Sequence, residues 1–278
     1  MKTVTSIGAG MARCRICGRS KAVSSVIGYC RDCLIKHWER VKSSVLEAHR
    51  EVRRLLQLTP ETPVHPDGLK CRFCGRGCVI PEDSRGYCSF IVNRRGAPGN
   101  ILGSFELALG DWYYDPHPTN CVAFPVCPAI TGEGYPRYAL SPLGEHGYYN
   151  IAVFYGSCNL NCLYCQNHVF KKYAAAKYPF MSVEDLAGAV NSKTTCACFF
   201  GGDPAPNAVH ALMAARRMIS RAREIGLQVF RVCWETNGLW ERSLLREALK
   251  ISLESGGIVK FDVKAYTPQV YTALTGVD

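Results

Sequence analysis

The stretch Gly156-Ser157-Cys158-Asn159-Leu160-Asn161-Cys162-Leu163-Tyr164-Cys165 decides how the chain is read. It directly follows residues 151–155, Ile-Ala-Val-Phe-Tyr, an apolar run of the length and composition of a buried strand. The cysteines are spaced CxxxCxxC, with an aromatic just before the third. Three thiolates suit a 4Fe–4S cluster with one iron left open, because a fourth protein ligand would leave no iron for another molecule. Zinc would want a fourth ligand, and His168 is the nearby candidate. Position favours the cluster. A loop after a strand of a βα unit lies at the carboxyl end, where α/β barrels put their chemistry.

Working outward, the chain alternates between short β-like runs and helical ones. A helix is predicted over 183–192, opened by Ser182 as its cap with Asp185 three residues on. A strand follows over 196–200, a helix over 207–224, a strand over 227–234, a helix over 242–255 and a strand over 258–263. The predicted fold class is α/β, a partial (β/α) barrel of about four βα units. Along the third strand Arg231, Cys233 and Glu235 share one face, and Phe230, Val232 and Trp234 the other. Along the fourth, Lys260, Asp262 and Lys264 alternate with Val259, Phe261 and Val263. A doubly covered parallel strand is apolar on both faces, so these charges line a polar lumen, form internal ion pairs or lie on an exposed face. The lumen reading expects Asp203, Glu235 and Asp262 to point to the same cavity as Cys158, with Arg231, Lys260 and Lys264 among them.

The CxxxCxYC loop resembles the signature of the radical SAM superfamily. In that family three cysteines, here Cys158, Cys162 and Cys165, hold a 4Fe–4S cluster, and the amino and carboxylate groups of S-adenosylmethionine chelate the fourth iron. Phe199-Phe200-Gly201-Gly202-Asp203-Pro204 is similar to the family's GGE-type motif, whose backbone holds the methionine ammonium. This chain has Asp where many members have Glu, one methylene shorter. Cys162-Leu163-Tyr164-Cys165-Gln166-Asn167 and Glu235-Thr236-Asn237-Gly238 resemble the branch that contains the pyruvate formate-lyase activating enzymes. The resemblance covers roughly residues 69–278. It implies cofactor contacts from Tyr164, Gly201, Gly202, Asp203, Glu235, Asn237, Asp262 and Lys264. It also implies reductive cleavage of S-adenosylmethionine to methionine and a 5′-deoxyadenosyl radical, which abstracts hydrogen from a substrate such as a protein glycine, with ferredoxin or flavodoxin as electron donor. A barrel of this family has about six βα units, so the chain is expected to be a truncated barrel.

The other cysteines form two more sets. Cys14, Cys17, Cys30 and Cys33 give CxxC-x12-CxxC with Gly18 and Gly28 at knuckle positions, a zinc-ribbon spacing. Such a ribbon either staples a small domain or grips nucleic acid, the second reading resting on Arg50, Arg53 and Arg54 in the following helix. In that helix Trp38, Val41, Val45, Ala48, Val52 and Leu55 recur at spacings of three and four. Cys71, Cys74, Cys78 and Cys88 give CxxCxxxC-x9-C, which suits zinc or an auxiliary iron–sulfur cluster and resembles the cysteine-rich leader of some radical SAM proteins. Cys121 and Cys127 form a weaker pair, and Cys196, Cys198 and Cys233 are expected as core cysteines. His117 stands in a turn as a candidate ligand or proton donor.

The domains are predicted as a zinc-ribbon-like module with its helix and Pro-rich linker over 1–66, a cysteine-rich Gly/Pro/Tyr-rich segment over 67–149, and the barrel over 150–278. With 47% hydrophobic and 20% charged residues, the chain of 278 has a core and is not disordered. No apolar run approaches the roughly 18 residues of a membrane span, and the first residues have no apolar h-region. Sixteen cysteines in such a chain point to metal in a reducing compartment, and the cytoplasm is expected. The net charge of +10 lies wholly within the first hundred residues, where bound thiolates would offset part of it. The competing readings are a non-catalytic zinc and nucleic-acid module and an electron carrier with iron–sulfur clusters alone.

Overall fold

The computed structural model describes residues 12–20, 23–118 and 121–277. Residues 1–11, 21–22, 119–120 and 278, which include Asn120 of the cysteine stretch after His117, lie outside the described residues. In chain order the elements begin with α1 (Arg31–Lys36), α2 (Trp38–Leu55), β1 (Leu69–Lys70), β2 (Val79–Ile80), β3 (Ile91–Arg94), β4 (Ala97–Asn100) and β5 (Leu107–Pro116). Next come α3 (Pro128–Thr131), β6 (Tyr149–Tyr155), α4 (Phe170–Ala176), β7 (Phe180–Ser182), α5 (Val183–Gly188) and β8 (Thr194–Gly201). The last are α6 (Ala208–Glu224), β9 (Arg231–Thr236), α7 (Arg242–Ser255), β10 (Val259–Phe261) and α8 (Pro268–Thr275). The chain divides into two compact units, one of Leu56–Asn159 and Gln166–Asp262, the other of Met1–Leu55, Leu160–Cys165 and Val263–Asp278.

The first of these units is mixed α/β around a six-stranded sheet of order β10-β9-β8-β6-β5-β7. β6, β8, β9 and β10 are parallel neighbours in chain order, as the βα alternation predicts. One face carries Ile151, Val153, Tyr155, Ala197, Phe199, Val232 and Trp234, all buried with the alanine-rich face of α6 and with α7. Phe199 stacks on Trp234 at 4.7 Å, and the indole Nε1 donates to the Ala248 carbonyl at 2.9 Å. Burying each such aromatic is worth about 2–3 kcal/mol, which makes this the face that fixes the strand register. The predicted capping box forms, with Ser182 and Asp185 each accepting the other's backbone N–H. α7 starts on the Glu241 carboxylate, which accepts from the amides of Ser243 and Leu244.

Several boundaries differ from expectation. The ten-residue β5 lies in a segment that shows little periodicity in sequence, yet it pairs antiparallel with both β6 and β7. The third parallel strand runs over Arg231–Thr236 rather than 227–234, because Gly226 turns at φ 74° and residues 227–230 form the connection. α5 ends at Gly188 rather than 192. β10 stops at Phe261, so Asp262 and Lys264 lie beyond the strand and the predicted alternation ends early. Phe261 and Val263, expected under helices, are 50% and 82% exposed.

The second unit is built on α1, α2 and α8. Ile27, Leu34, Val41, Val45 and Ala273 form its core, with Trp38 and Leu163 packed against it. The buried stripe of α2 runs Val41, Val45, His49, Arg53, a strict i,i+4 row. The predicted stripe therefore fails at its end, where Leu55 is 84% exposed. Arg50 and Arg54 both reach Glu47 at 2.6 Å and Arg53 is buried, so the run is not an open basic face. No helix among the described residues is long and apolar enough to cross a membrane.

Candidate functional site

β6 leads directly into the cysteine loop. Gly156 donates to the Leu109 carbonyl, and Ser157, Cys158 and Asn159 are buried. The loop after β8 lies against it: Gly202 N donates to Tyr155 O at 2.8 Å and Asp203 N to Ser157 O at 2.9 Å. Two glycines permit that approach. A Cβ on Gly201, whose φ is +107°, would sit 2.3 Å from Tyr155 N, and one on Gly202 would sit 2.2 Å from Ser157 O. The loop after β9 closes the group. Asn237 Nδ2 donates to Asn159 Oδ1 at 2.7 Å and stands 4.0 Å from Cys158 Sγ, and Asn159 Nδ2 donates to Leu239 O at 2.7 Å. The carboxyl ends of β6, β8 and β9 thus gather Cys158, Gly201, Gly202, Asp203 and Asn237.

Asp203 is the hub of these loops rather than a group aimed into a shared cavity. Its carboxylate is buried and accepts from Ala205 N at 2.8 Å, Asn237 N at 2.8 Å and Thr236 Oγ1 at 3.0 Å. Glu235 lies on the sheet face opposite Val232 and Trp234, as the alternation predicts, and pairs with Lys260 at 3.3 Å. Asp262 is exposed. Of the three carboxylates expected together, each has its own surroundings.

Arg231 is not among them either. It is buried and makes a bidentate pair with Glu145, at 2.7 and 2.5 Å, while donating to Tyr138 O and Thr195 Oγ1. Burial opposes ionisation of Glu145, but Arg231 outweighs it and holds the carboxyl below its ordinary value. Sequence reasoning missed Glu145, which sits in an irregular segment with no periodic signal. On the same polar face Lys260 Nζ approaches Cys198 Sγ at 3.0 Å and Cys121 Sγ at 3.2 Å. Burial pushes the Cys198 thiol up to about 12, so a neutral thiol faces the ammonium. Cys196 and Cys198 are buried, as expected of core cysteines, and Cys233 is half-buried; all three lie on the sheet face that also carries Arg231 and Lys260. His117 is buried, its Nε2 3.0 Å from Thr195 Oγ1, and desolvation lowers it to about 4, which keeps it neutral.

Cys162 and Cys165 belong to the other compact unit. There Asn161 N donates to Thr275 O at 2.8 Å and Leu163 N to Leu274 O at 3.0 Å. Cys162 is buried and Cys165 half-buried. Tyr164 is exposed, with Lys264 Nζ 5.9 Å from its ring centroid. The side-chain Oδ1 of Asn161 is buried with no hydrogen-bond partner among the described residues. The donor set of the loop is sulfur alone, the soft ligand an iron–sulfur cluster takes. That donor set fits an iron–sulfur cluster, and His168, the fourth ligand zinc would need, lies on the surface.

The sulfurs of Cys14, Cys17, Cys30 and Cys33 lie within 4.8 Å of one another, and Cys17 and Cys30 are 4.0 Å apart. A tetrahedral ion with 2.3 Å sulfur bonds would set that edge at about 3.8 Å. Gly18 and Gly28 have the positive φ that the knuckles need. Burial works against the Cys14 thiolate, but amides of Cys17, Cys30 and Ile16 outweigh it and bring the thiol to about 6. Burial and the other three thiols push Cys33 up to about 12. Four crowded thiols without a cation split in this way, and a divalent ion removes the conflict. Around the β1–β2 hairpin, burial and the nearby Cys88 and Cys78 push Cys71 up to about 12, and Cys74 is raised by burial and the same neighbours. Amides of Tyr87 and Ile91 donate to Cys78 and Cys88 sulfurs at 3.5 Å.

Residues 152–277 match the family model described as the Radical SAM superfamily, a little under half of the chain. The match supports that superfamily for this region and an enzyme of radical chemistry, with the 4Fe–4S cluster, S-adenosylmethionine and electron donor the superfamily implies. No curated protein and no solved structure matches the chain significantly.

Proposed function

We propose that the chain is a radical SAM enzyme in which Cys158, Cys162 and Cys165 hold the cluster and the loops after β8 and β9 hold S-adenosylmethionine. The observation that carries this reading is the gathering of Cys158, Gly201-Gly202-Asp203 and Asn237 at the carboxyl ends of three neighbouring parallel strands. When bound, cluster and cofactor would supply one-electron reduction of a sulfonium and, through it, the power to abstract a hydrogen atom from a substrate. The chain's own residues orient and enclose. Gly201 and Gly202 bring one loop backbone against the other, and Asp203 fixes the loop that carries Asn237 beside Cys158. Glu235, held by Lys260, presents a carboxylate on the polar face, and Tyr164, Asp262 and Lys264 complete the proposed cofactor contacts. Cys14, Cys17, Cys30 and Cys33 hold zinc, and Cys71, Cys74, Cys78 and Cys88 hold zinc or an auxiliary cluster. A reducing compartment, the cytoplasm, would keep these thiols available.

Anaerobic reconstitution followed by iron, sulfide and zinc counts tests the metal content. Incubation with S-adenosylmethionine and a reductant, dithionite or reduced flavodoxin, should yield 5′-deoxyadenosine. Cys158→Ala, Cys162→Ala and Cys165→Ala should each abolish that product, and a variant that still cleaves overturns the assignment. The likeness to glycyl-radical activating enzymes makes a protein glycine the first substrate to test, read as a glycyl radical signal by electron paramagnetic resonance.

A further inference from the structure

We infer that His49 is a positioning residue for the cysteine loop, and that the N-terminal four-cysteine module therefore helps present Cys162 and Cys165. The inference rests on the cluster role proposed above for those cysteines. His49 lies on α2, is 2% exposed, and continues the buried row of Val41 and Val45. Its Nδ1 is 3.0 Å from Asn161 Nδ2, and its Nε2 is 3.0 Å from the Ala273 carbonyl. An amide nitrogen only donates, and Asn161 Nδ2 also points to the His49 carbonyl at 3.5 Å. In this orientation Asn161 Nδ2 donates to Nδ1 and Nε2 donates to Ala273 O, so both ring nitrogens are used.

Gly276 stands close against the same ring. A Cβ on Gly276, which caps α8 at φ +71°, would lie 2.7 Å from His49 Nδ1. The last carbonyls of a helix have no partner within it. Here Ala273 O is taken by His49, Leu274 O by the amide of Leu163, and Thr275 O by the amide of Asn161. Residues 160–165 are thus docked on the end of α8 by two backbone bonds, and one side chain of α2 secures both partners. Leu163 packs on the Ile27, Leu34, Val41 and Val45 core, and Leu34 follows the ligand candidate Cys33. A continuous set of contacts therefore runs from the four-cysteine site to the segment that holds Cys162 and Cys165.

The test uses the full chain in wild-type, His49→Ala, His49→Gln, Asn161→Ala and doubly substituted His49→Ala/Asn161→Ala forms. Amide hydrogen exchange is read over 160–165 in protein loaded with zinc but not iron. We expect exchange at Asn161 and Leu163 to rise about tenfold in His49→Ala and Asn161→Ala, with the double variant no faster than the faster single one. His49→Gln, which keeps one of the two bonds, should fall between. Unchanged exchange, or effects that simply multiply in the double variant, overturns the inference, and His49→Gln and Asn161→Ala decide it if His49→Ala does not fold. After reconstitution, the paramagnetic spectrum of the reduced cluster, and its change on adding S-adenosylmethionine, should be altered in the variants while zinc content is not. A residue that only stabilised the fold would leave that spectrum intact, and an intact spectrum also overturns the inference. A wild-type chain that takes up no iron at Cys158, Cys162 and Cys165 would instead overturn the proposed function, and the exchange data would still decide the clamp.

Discussion

Replacing Asp203 by Asn probes the hub of the strand-end loops with almost no change in shape. In the native chain one carboxylate oxygen accepts from Ala205 N and the other from Asn237 N, each at 2.8 Å, while Thr236 Oγ1 donates to both. Thr236 cannot reverse its role, since Trp240 Nε1 and Gly238 N already donate to it at 2.8 and 3.2 Å. An amide has one acceptor oxygen. Whichever way it is turned, its NH2 must face the N–H of Ala205 or of Asn237, so one buried donor meets another. A lost hydrogen bond to a buried charged group costs about 1.5–3 kcal/mol, and an unsatisfied buried N–H adds about 1–3 kcal/mol. Allowing for local relaxation, we expect Asp203→Asn to destabilise the sheet unit by about 2–4 kcal/mol, and Asp203→Ala by at least as much. Urea unfolding followed by tryptophan fluorescence is the assay, because Trp234 and Trp240 adjoin the hub. The native-state displacement of Asn237 should also change the cluster spectrum, as Asn237 Nδ2 faces Cys158 Sγ. A shift in stability under about 0.5 kcal/mol would refute the hydrogen-bond assignment and the structural role given to this carboxylate.

Other expectations follow from the same kinds of contact. Glu145→Gln leaves Arg231 as a buried, uncompensated cation and should cost about 3–5 kcal/mol at neutral pH, whereas the paired change Glu145→Leu with Arg231→Met should cost much less; equal losses would sink the ion-pair argument. Because Arg231 holds Glu145 below its ordinary value, its contribution is fully present above the unfolded carboxyl pKa and fades as pH falls through the lower folded one. Acid unfolding of Glu145→Gln should therefore show a shallower loss of stability below about pH 5 than wild type. The purified chain should bind a tetrahedral divalent ion at Cys14, Cys17, Cys30 and Cys33. Cobalt substitution should give the absorption of four thiolates, reduced to three by Cys30→Ser, and an unchanged spectrum would exclude this site. Glu235→Ala should weaken binding of S-adenosylmethionine at least tenfold in equilibrium dialysis, and because Lys260 is only 9% exposed the lost pair should also cost about 1–3 kcal/mol of stability. Unaltered affinity would remove Glu235 from the proposed cofactor contacts.

What was legible in the sequence was short-range. The CxxxCxxC loop, the glycine pair after β8, the Ser182 capping box and the CxxC pairs each need only a few neighbouring residues to be read. β5 was not, because Gly110 and Pro116 punctuate its ten residues as turns do, and its strand character comes from pairing with β6 and β7. The α2 stripe misled at its end for a different reason. Its buried row continues through His49 and Arg53, which a count of apolar residues passes over. The partners of the buried ions and rings are farther still: Glu145 is 86 residues from Arg231, and His49 is 112 from Asn161. Alternation tells which face a strand residue takes, but it does not say what waits on that face.

Asp203 shows where that distinction matters for function. A carboxylate just past a strand end reads the same in sequence whether it meets a ligand or the neighbouring backbone. The difference lies in reach. From the Asp203 side chain, Oδ1 turns back onto the amide two residues on, Ala205 N at 2.8 Å, the short loop an aspartate closes and a glutamate, one methylene longer, does not fit as well. The same group then takes the backbone of Asn237 from the next strand's loop at 2.8 Å. With its donors drawn from Ala205, Thr236 and Asn237, this acid joins two loops, while the backbone of Gly201 and Gly202 lies against the cysteine loop. If that is the role of the shorter acid, Asp203→Glu should perturb the loop after β9 more than it perturbs affinity for S-adenosylmethionine per folded molecule. Hydrogen exchange at Asn237, read beside equilibrium dialysis, separates the two, and a variant with native exchange at Asn237 but lost binding would return Asp203 to the ligand.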